Sequence, residues 1–293
     1  MRRAMLIVAA MGLCALQVTP AGSVVRHPTL FATKCTYAFS AQVDPIVAPG
    51  ADPSAHLHDF FGNTGTNENS TYDEMLGSPT TCGLLVDTAG YWTPALLMDG
   101  VQVPPKWVGA YYYLTSQLMD PTLEQTIPAG LQMTAGGTTF DGSRIAYWKC
   151  AKGGAPRTAL PGNCGSAWVH ANVVFPSCWD GVNLNTVVPD PADPSQMIAA
   201  TNPVNGQPYP NDHRSHMAYP DSTGACPSDH PVPIARVGLN VRYPIHDGTG
   251  ATLSSGDPTT LHADFWNTWQ QSGLDQLVVS CLQANIACGL LSG

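Results

Sequence analysis

Charge is scarce in this chain. Only 11% of its 293 residues are Asp, Glu, Lys or Arg, and the glutamates are Glu68, Glu74 and Glu124 alone. Any carboxylate pair for acid/base work must therefore lean on aspartate. Lysine and arginine total 12 against 21 acids, a formal net charge of −9, which repels nucleic acid and anionic membrane surfaces and argues against both as partners. No Gly-x-Ser-x-Gly elbow occurs, so a serine hydrolase of that type is excluded. No two cysteines stand two to four residues apart, so a thiolate zinc site is disfavoured. No repeat of fixed period is present. Beyond the first twenty or so residues, no apolar run approaches the roughly 20 residues of a membrane-spanning helix.

Those first residues read as an address. Arg2 and Arg3 precede the uncharged apolar run from Ala4 to Val18, and Thr19-Pro20-Ala21 offers a small residue for cleavage. This is the layout of a secretory signal peptide over residues 1–21, followed by a single secreted domain over 22–293. The expected location is extracellular, with no membrane insertion. Of nine cysteines, Cys14 falls in the signal and eight remain: Cys35, Cys82, Cys150, Cys164, Cys178, Cys226, Cys281 and Cys288. An even number in an exported chain predicts up to four disulfides, although eight cysteines allow about 105 pairings. On one unbroken helix, Cys281 and Cys288 would lie about 10 Å apart along the axis, too far to bond. They pair only if the helix ends between them.

Glycine (28) and proline (26) are abundant, too loop-rich a mixture for a helical bundle and too apolar and aromatic for disorder. Turn signals such as Asp99-Gly100, Gly136-Gly137 and Asp141-Gly142 separate short aromatic and β-branched runs. In Arg236 to Tyr243, Val237, Leu239, Val241 and Tyr243 alternate with Arg236, Gly238, Asn240 and Arg242. Ala167 to Phe175 alternates similarly, and Trp107 to Leu114 and Arg144 to Lys149 are further candidates. The fold class is mainly β: a single-domain β-sandwich or jelly-roll-like core with long loops and short C-terminal helices. One helix is expected from Asp257-Pro258, with Phe265 and Trp269 one turn apart, and a second after Gly273. The proline-rich segment from Val188 to Pro233 reads as a long ordered loop pinned by Cys178 and Cys226.

Chemistry concentrates at His56-Leu57-His58-Asp59-Phe60-Phe61-Gly62-Asn63, partly echoed by His262-Ala263-Asp264-Phe265-Trp266-Asn267. On a strand His56 and His58 share a face and can reach one ion. Neutral imidazole is the commonest metal ligand, and His262 is the third candidate, with Asp264, His216 and His230 as further donors. A divalent zinc, copper or manganese suits such ligands, and the ligand types do not choose among them. A metal-free centre would use Asp59 and Asp264 as a carboxylate pair for a glycosidic bond. If Asp264 lies in a helix, it diverges from His262 by about 200° and only one of the two faces the site. The plainer reading is that the histidines satisfy buried backbone groups or rest on Phe60 and Phe61. Trp92 and Trp179 are the first candidates for sugar-stacking platforms, although aromatics mostly serve cores.

Further motifs follow in order: Asn69-Ser70-Thr71-Tyr72, Tyr91-Trp92-Thr93-Pro94-Ala95-Leu96, Phe175-Pro176-Ser177-Cys178-Trp179-Asp180-Gly181, Ser215-His216-Met217-Ala218-Tyr219-Pro220, His230-Pro231-Val232 and Leu253-Ser254-Ser255-Gly256-Asp257. Together with the two histidine motifs they resemble a family of exported fungal and actinobacterial proteins catalogued as a domain of unknown function, number nineteen ninety-six. The resemblance spans roughly Cys35 to Cys281. It implies one domain and an extracellular role, and it brings no activity or catalytic residue with it.

Two functions fit. In the first the chain is a hydrolase or lyase acting on extracellular carbohydrate or cell-wall polymer, with His56, His58, Asp59, His216, His230 and Asp264 as its polar centre. In the second it is a non-catalytic wall-associated or glycan-binding protein whose histidines and aromatics shape a recognition surface or support the fold.

Overall fold

The alternation in Arg236 to Tyr243 is realised as a strand that sits deep in a large curved sheet. A computed structural model describes residues 28–54, 56–137, 145–151, 153–193 and 196–291. The signal segment, Cys14, the Asp141-Gly142 turn and Arg144 lie outside the described residues. Strand makes up 36% and helix 9%, so the chain is mainly β.

Ten strands form the main sheet: β1 (Leu30–Ala41), β2 (His58–Gly62), β3 (Gly90–Pro94), β4 (Trp107–Tyr113), β5 (Gln132–Gly136), β6 (Ala146–Cys150), β7 (Val169–Val174), β8 (Arg236–Tyr243), β9 (His262–Trp266) and β10 (Gly289–Leu291). Their order is β5-β9-β3-β2-β1-β4-β8-β7-β6, all neighbours antiparallel. The sheet curls until β5 approaches β7, so it is nearly closed. The other edge of β1 is divided. Residues 37–41 pair with β2, and Phe31 to Thr33 pair in parallel with β10.

Period-2 alternation puts one residue set inside. Val108, Ala110 and Tyr112 on β4, Val237, Leu239, Val241 and Tyr243 on β8, and Val169, Ala171 and Val173 on β7 share one core with Phe31, Phe61, Tyr91, Trp148 and Phe265. Full burial of such a side chain contributes about 1.5–3 kcal/mol. A bulge in β1 between Tyr37 and Phe39 changes the pattern. Tyr37 still packs on the inner core, whereas Phe39 and Ala41 turn outward into a second cluster of Val43, Ile46, Phe60, Met75, Trp92 and Trp266. The turn after β1 and the helix α1 (Tyr72–Leu76), closed by a Thr71–Glu74 capping box, cover this outer cluster.

Four disulfides join Cys35–Cys82, Cys150–Cys164, Cys178–Cys226 and Cys281–Cys288. The last forms because α2 (Gln271–Leu277), continued by one π-helical stretch Val278–Gln283, stops at Ala284. The chain then folds back and brings the two Cα atoms to 5.8 Å. Among the described residues no helix is long and apolar enough to cross a membrane.

One expected element is different. The segment after Asp257-Pro258 makes a single 3-10 turn over Pro258–Thr260, capped by Asp257, and then extends as β9. A capping Asp followed by Pro starts a 3-10 turn as readily as a helix, and pairing with both β3 and β5 wins the rest. Only the second C-terminal helix forms.

Candidate functional site

The two histidine motifs fold into equivalent strands on either side of β3. β2 begins at His58 and ends at Gly62, whose φ of +73° and close approach to the Ala89 carbonyl leave no room for a Cβ. Asn63 then clamps the strand end, donating to the carbonyls of Met75 at 2.6 Å and Thr88 at 2.8 Å. β9 begins at His262 and is closed by Asn267, which donates to Ile127 and Pro128 in the same manner. The echo in the sequence is thus a repeated strand with a histidine at one end and an asparagine clamp at the other.

Phe60, Trp92 and Asp264 form one row across the sheet, and His58 with Pro94 the next. His262 lies two residues before Asp264, so its side chain emerges from the same outer face beside Pro94. His58 Nδ1–H donates to the Val43 carbonyl at 3.0 Å, and His262 Nδ1–H donates to the Thr260 carbonyl at 2.8 Å. A carbonyl only accepts, so both rings carry their proton on Nδ1 and leave a lone pair on Nε2. His56, in the loop before β2, brings its Nε2 to 3.2 Å from that of His262, and its ring centroid lies 4.3 Å from His58. One ligand atom from each of the three lies within 4.8 Å of the others. His58 is buried, whereas His56 and His262 are partly exposed.

Two carboxylates adjoin His58 on the buried side. Asp44 is held by the backbone N–H groups of Ile46 and Val47, and its Oδ2 lies 3.9 Å from His58 Nε2. Asp264 is 1% exposed, and neither of its oxygens has a hydrogen-bond partner, nor has His58 Nε2. Atoms of Asp44, His58 and Asp264 also fall within 4.8 Å of one another. A buried charge without a partner is costly, and burial raises Asp44 to about 6 and Asp264 well above the carboxylate range, with Asp44 adding to the latter. Burial lowers all three imidazoles, His262 to about 4, so at neutral pH they are in the unprotonated form that binds cations. Arg214, anchored by Nε on Thr134 Oγ1 at 2.9 Å, pulls Asp264 the other way.

The remaining expected site residues lie elsewhere. Asp59 follows His58 directly, so the strand turns it to the inner face, where Ser40 and Gln102 each donate to Oδ1 at 2.6 Å and burial raises it to about 7. His216 donates from Nε2 to the Gln132 carbonyl, and His230 from Nε2 to the Ser215 carbonyl, both at 2.9 Å. These two rings fasten the loop region to β5 and to itself, and neither belongs to a metal-capable group among the described residues. Trp92 is fully buried and stacks on Phe60 at 5.5 Å, which makes it core. Trp179 is partly buried and donates its indole N–H to the Asn183 carbonyl. Sequence reasoning missed Asp44 and Arg214. Nothing local marks Asp44, and proximity to His216 was the only signal for Arg214. Cys35, Cys82 and Asp87 also converge, but their sulfurs are spent on each other.

The family described as "Domain of unknown function (DUF1996)" matches residues 44–269. The match takes in Asp44, His56, His58, Arg214, His262 and Asp264. No curated protein matches the sequence, and no solved structure does.

Proposed function

The chain belongs to this DUF1996 family, and we propose that it is an exported hydrolase or lyase acting on extracellular carbohydrate or cell-wall polymer through a divalent metal held by His56, His58 and His262. Convergence of one ring nitrogen from each of the three histidines carries the reading. A hydrogen bond between His56 and His262 accounts for one contact, but it leaves the His58 lone pair facing Asp44 without a proton between them. A cation resolves that conflict. Tetrahedral ligands about 2.0–2.1 Å from zinc lie about 3.3 Å apart, close to the 3.2 Å seen between His56 and His262. Two of the rings also donate Nδ1–H to backbone carbonyls, the arrangement that fixes metal-ligating histidines. Four disulfides fit an extracellular setting.

A bound divalent ion would polarise a substrate oxygen and lower the pKa of a coordinated water. The chain's own residues supply the rest. His56, at the exposed rim, orients the approach to the centre. Asp264 and Asp44 cannot both stay charged in their buried site, so one of them can hold a proton and exchange it. The second reading is a non-catalytic glycan-binding or wall-associated protein. It is favoured by the carbonyl partners of His58, His262, His216 and His230, which let these rings fasten loops to the sheet without any chemistry.

The test uses protein prepared without an affinity tag. Metal analysis should find about one equivalent of zinc or copper, lost in His262→Ala, and incubation with a panel of wall polysaccharides should give product only from the loaded protein. Metal without product from any polymer supports the second reading. Absence of metal after exposure to micromolar zinc and copper removes the centre.

A further inference from the structure

The outer face of the opposite part of the sheet carries a different surface. Register aligns Thr36, Trp107, Arg242, His170 and Lys149 in one row across β1, β4, β8, β7 and β6, and Lys34, Gly109, Asn240, Asn172 and Tyr147 in the next. Beyond them Tyr111 faces Gly238, and Tyr113 faces Arg236. Each glycine leaves room for a tyrosine ring to lie over it, since a Cβ on Gly109 would lie 2.7 Å from the Tyr111 ring and one on Gly238 would lie 3.3 Å from that of Tyr113, and the rings so seated line a groove. The resulting groove measures about 330 Å³, the small end of ligand clefts of roughly 300–1,000 Å³.

Its chemistry is specific. Tyr111 and Tyr113 stack with centroids 6.0 Å apart along one wall. Arg242 lies 3.7 Å over the Trp107 ring and donates from Nε to Asn240 Oδ1 at 3.0 Å. Asn240 donates in turn to Asn172 Oδ1. Asn172 is 6% exposed and its Nδ2 has no partner, so the relay ends in a buried amide donor at the floor. Such a donor costs free energy unless something accepts from it. Burial, then Arg242 and Lys149, hold His170 at about 4, so it stays neutral. In a chain of net charge −9, no lining residue is acidic while Arg242 and Lys149 both line the groove.

From this geometry we propose that the groove binds a short saccharide bearing one carboxylate, a uronic acid within an otherwise neutral chain. Tyrosine faces suit the C–H faces of sugar rings, the Asn172 amide and His170 suit hydroxyls, and Arg242 with Lys149 suits a carboxylate. Two cations match one carboxylate, whereas the acidic whole disfavours a polyanion. The site does not depend on the histidine centre.

Calorimetric titration of the tag-free protein with a xylo-oligosaccharide carrying one glucuronic acid, beside the neutral xylo-oligosaccharide of the same length, tests this. The acidic ligand should bind at least tenfold tighter. Arg242→Gln and Lys149→Glu should each abolish that preference, and His262→Ala should preserve it. Lys149→Glu lies on the outermost strand, so it keeps the test decisive if Arg242→Gln fails to fold. Equal binding of the two sugars, undiminished preference in Lys149→Glu, or equally tight binding of a glutamate-rich peptide would overturn the proposal.

Discussion

His58 and His262 stand two strands apart at matching ends of β2 and β9, each ties Nδ1 to a backbone carbonyl, and their ring centroids lie 5.9 Å apart. Strands two apart are separated by about 9.5 Å, a gap that two imidazole arms close from either side. His56 completes the group from the loop. Because both rings are oriented by backbone carbonyls, their geometry is set before any ligand arrives.

That pre-set geometry makes Asp264 the sharpest probe. Its unpartnered carboxylate burdens the metal-free protein, and Asp264→Asn removes the charge while its amide can reach toward Asp44. The apo variant should melt a few degrees higher than apo wild type, since about 1 kcal/mol corresponds to roughly 2–4 °C in a domain of this size. Metal should then raise the melting point of wild type more than that of the variant. Thermal scans with and without chelator read both effects, and a destabilised apo variant would count against an unsatisfied carboxylate.

The buried carboxylates should make stability fall as pH rises from about 7 to 8, where the histidines that burial lowers are neutral in both folded and unfolded chains. Burial pushes Glu124 up to about 7 and Asp87 to about 8, so the native state keeps protons that the unfolded chain has already released. Unfolding then releases protons, and the stabilisation is full below about pH 4.5 and lost as pH climbs through the native pKa values. For Glu124 a difference of about 2.5 units is worth up to about 3 kcal/mol. Urea melts across this range should slope downward, and Glu124→Gln, which mimics the protonated acid, should flatten the slope.

Tyr112 links two buried groups, contacting the Tyr91 hydroxyl at 2.5 Å and accepting from the Trp269 indole at 2.9 Å. Tyr112→Phe keeps the packing against Phe31 but strands the indole N–H. The expected cost is about 1–3 kcal/mol, read from the denaturation midpoint, with no change in metal content.

Removing the Cys178–Cys226 bridge, by alanine at both positions, frees a 48-residue span and should cost about 2–4 kcal/mol. Limited proteolysis should then cut between the two positions first. Cleavage beginning in the main sheet instead would mean that the bridge holds more than its own loop.

Alternation was legible where one face meets the core. β8 coincides with the expected strand, and β7 falls within its expected run. The even cysteine count was legible too, and all eight are paired. The repeated motif pointed to His56, His58 and His262 together, but β2 begins only at His58, so His56 reaches the other two from a loop and not by strand spacing. What failed depended on tertiary context. Phe265 and Trp269 are four apart, as in a helix, yet two neighbouring strands claim that segment. Asp59 stands beside His58 in sequence and across the sheet in space. Asp44 lies in an ordinary turn, and only the fold reveals what it faces. The burial of Trp92 depends on the turn that covers it, which no local pattern encodes.

The extra residue in β1 between Tyr37 and Phe39 allows a single strand to furnish the inside of the barrel with its first half and the outside with its second. Register there is therefore a tighter constraint than side-chain identity. Running the same residues as a regular ladder, without the bulge, would swing Phe39 and Ala41 inward and strip the aromatic bed from beneath His58, whereas deleting or substituting Ala38 would keep Tyr37 opposite Phe61 and Phe39 opposite Phe60.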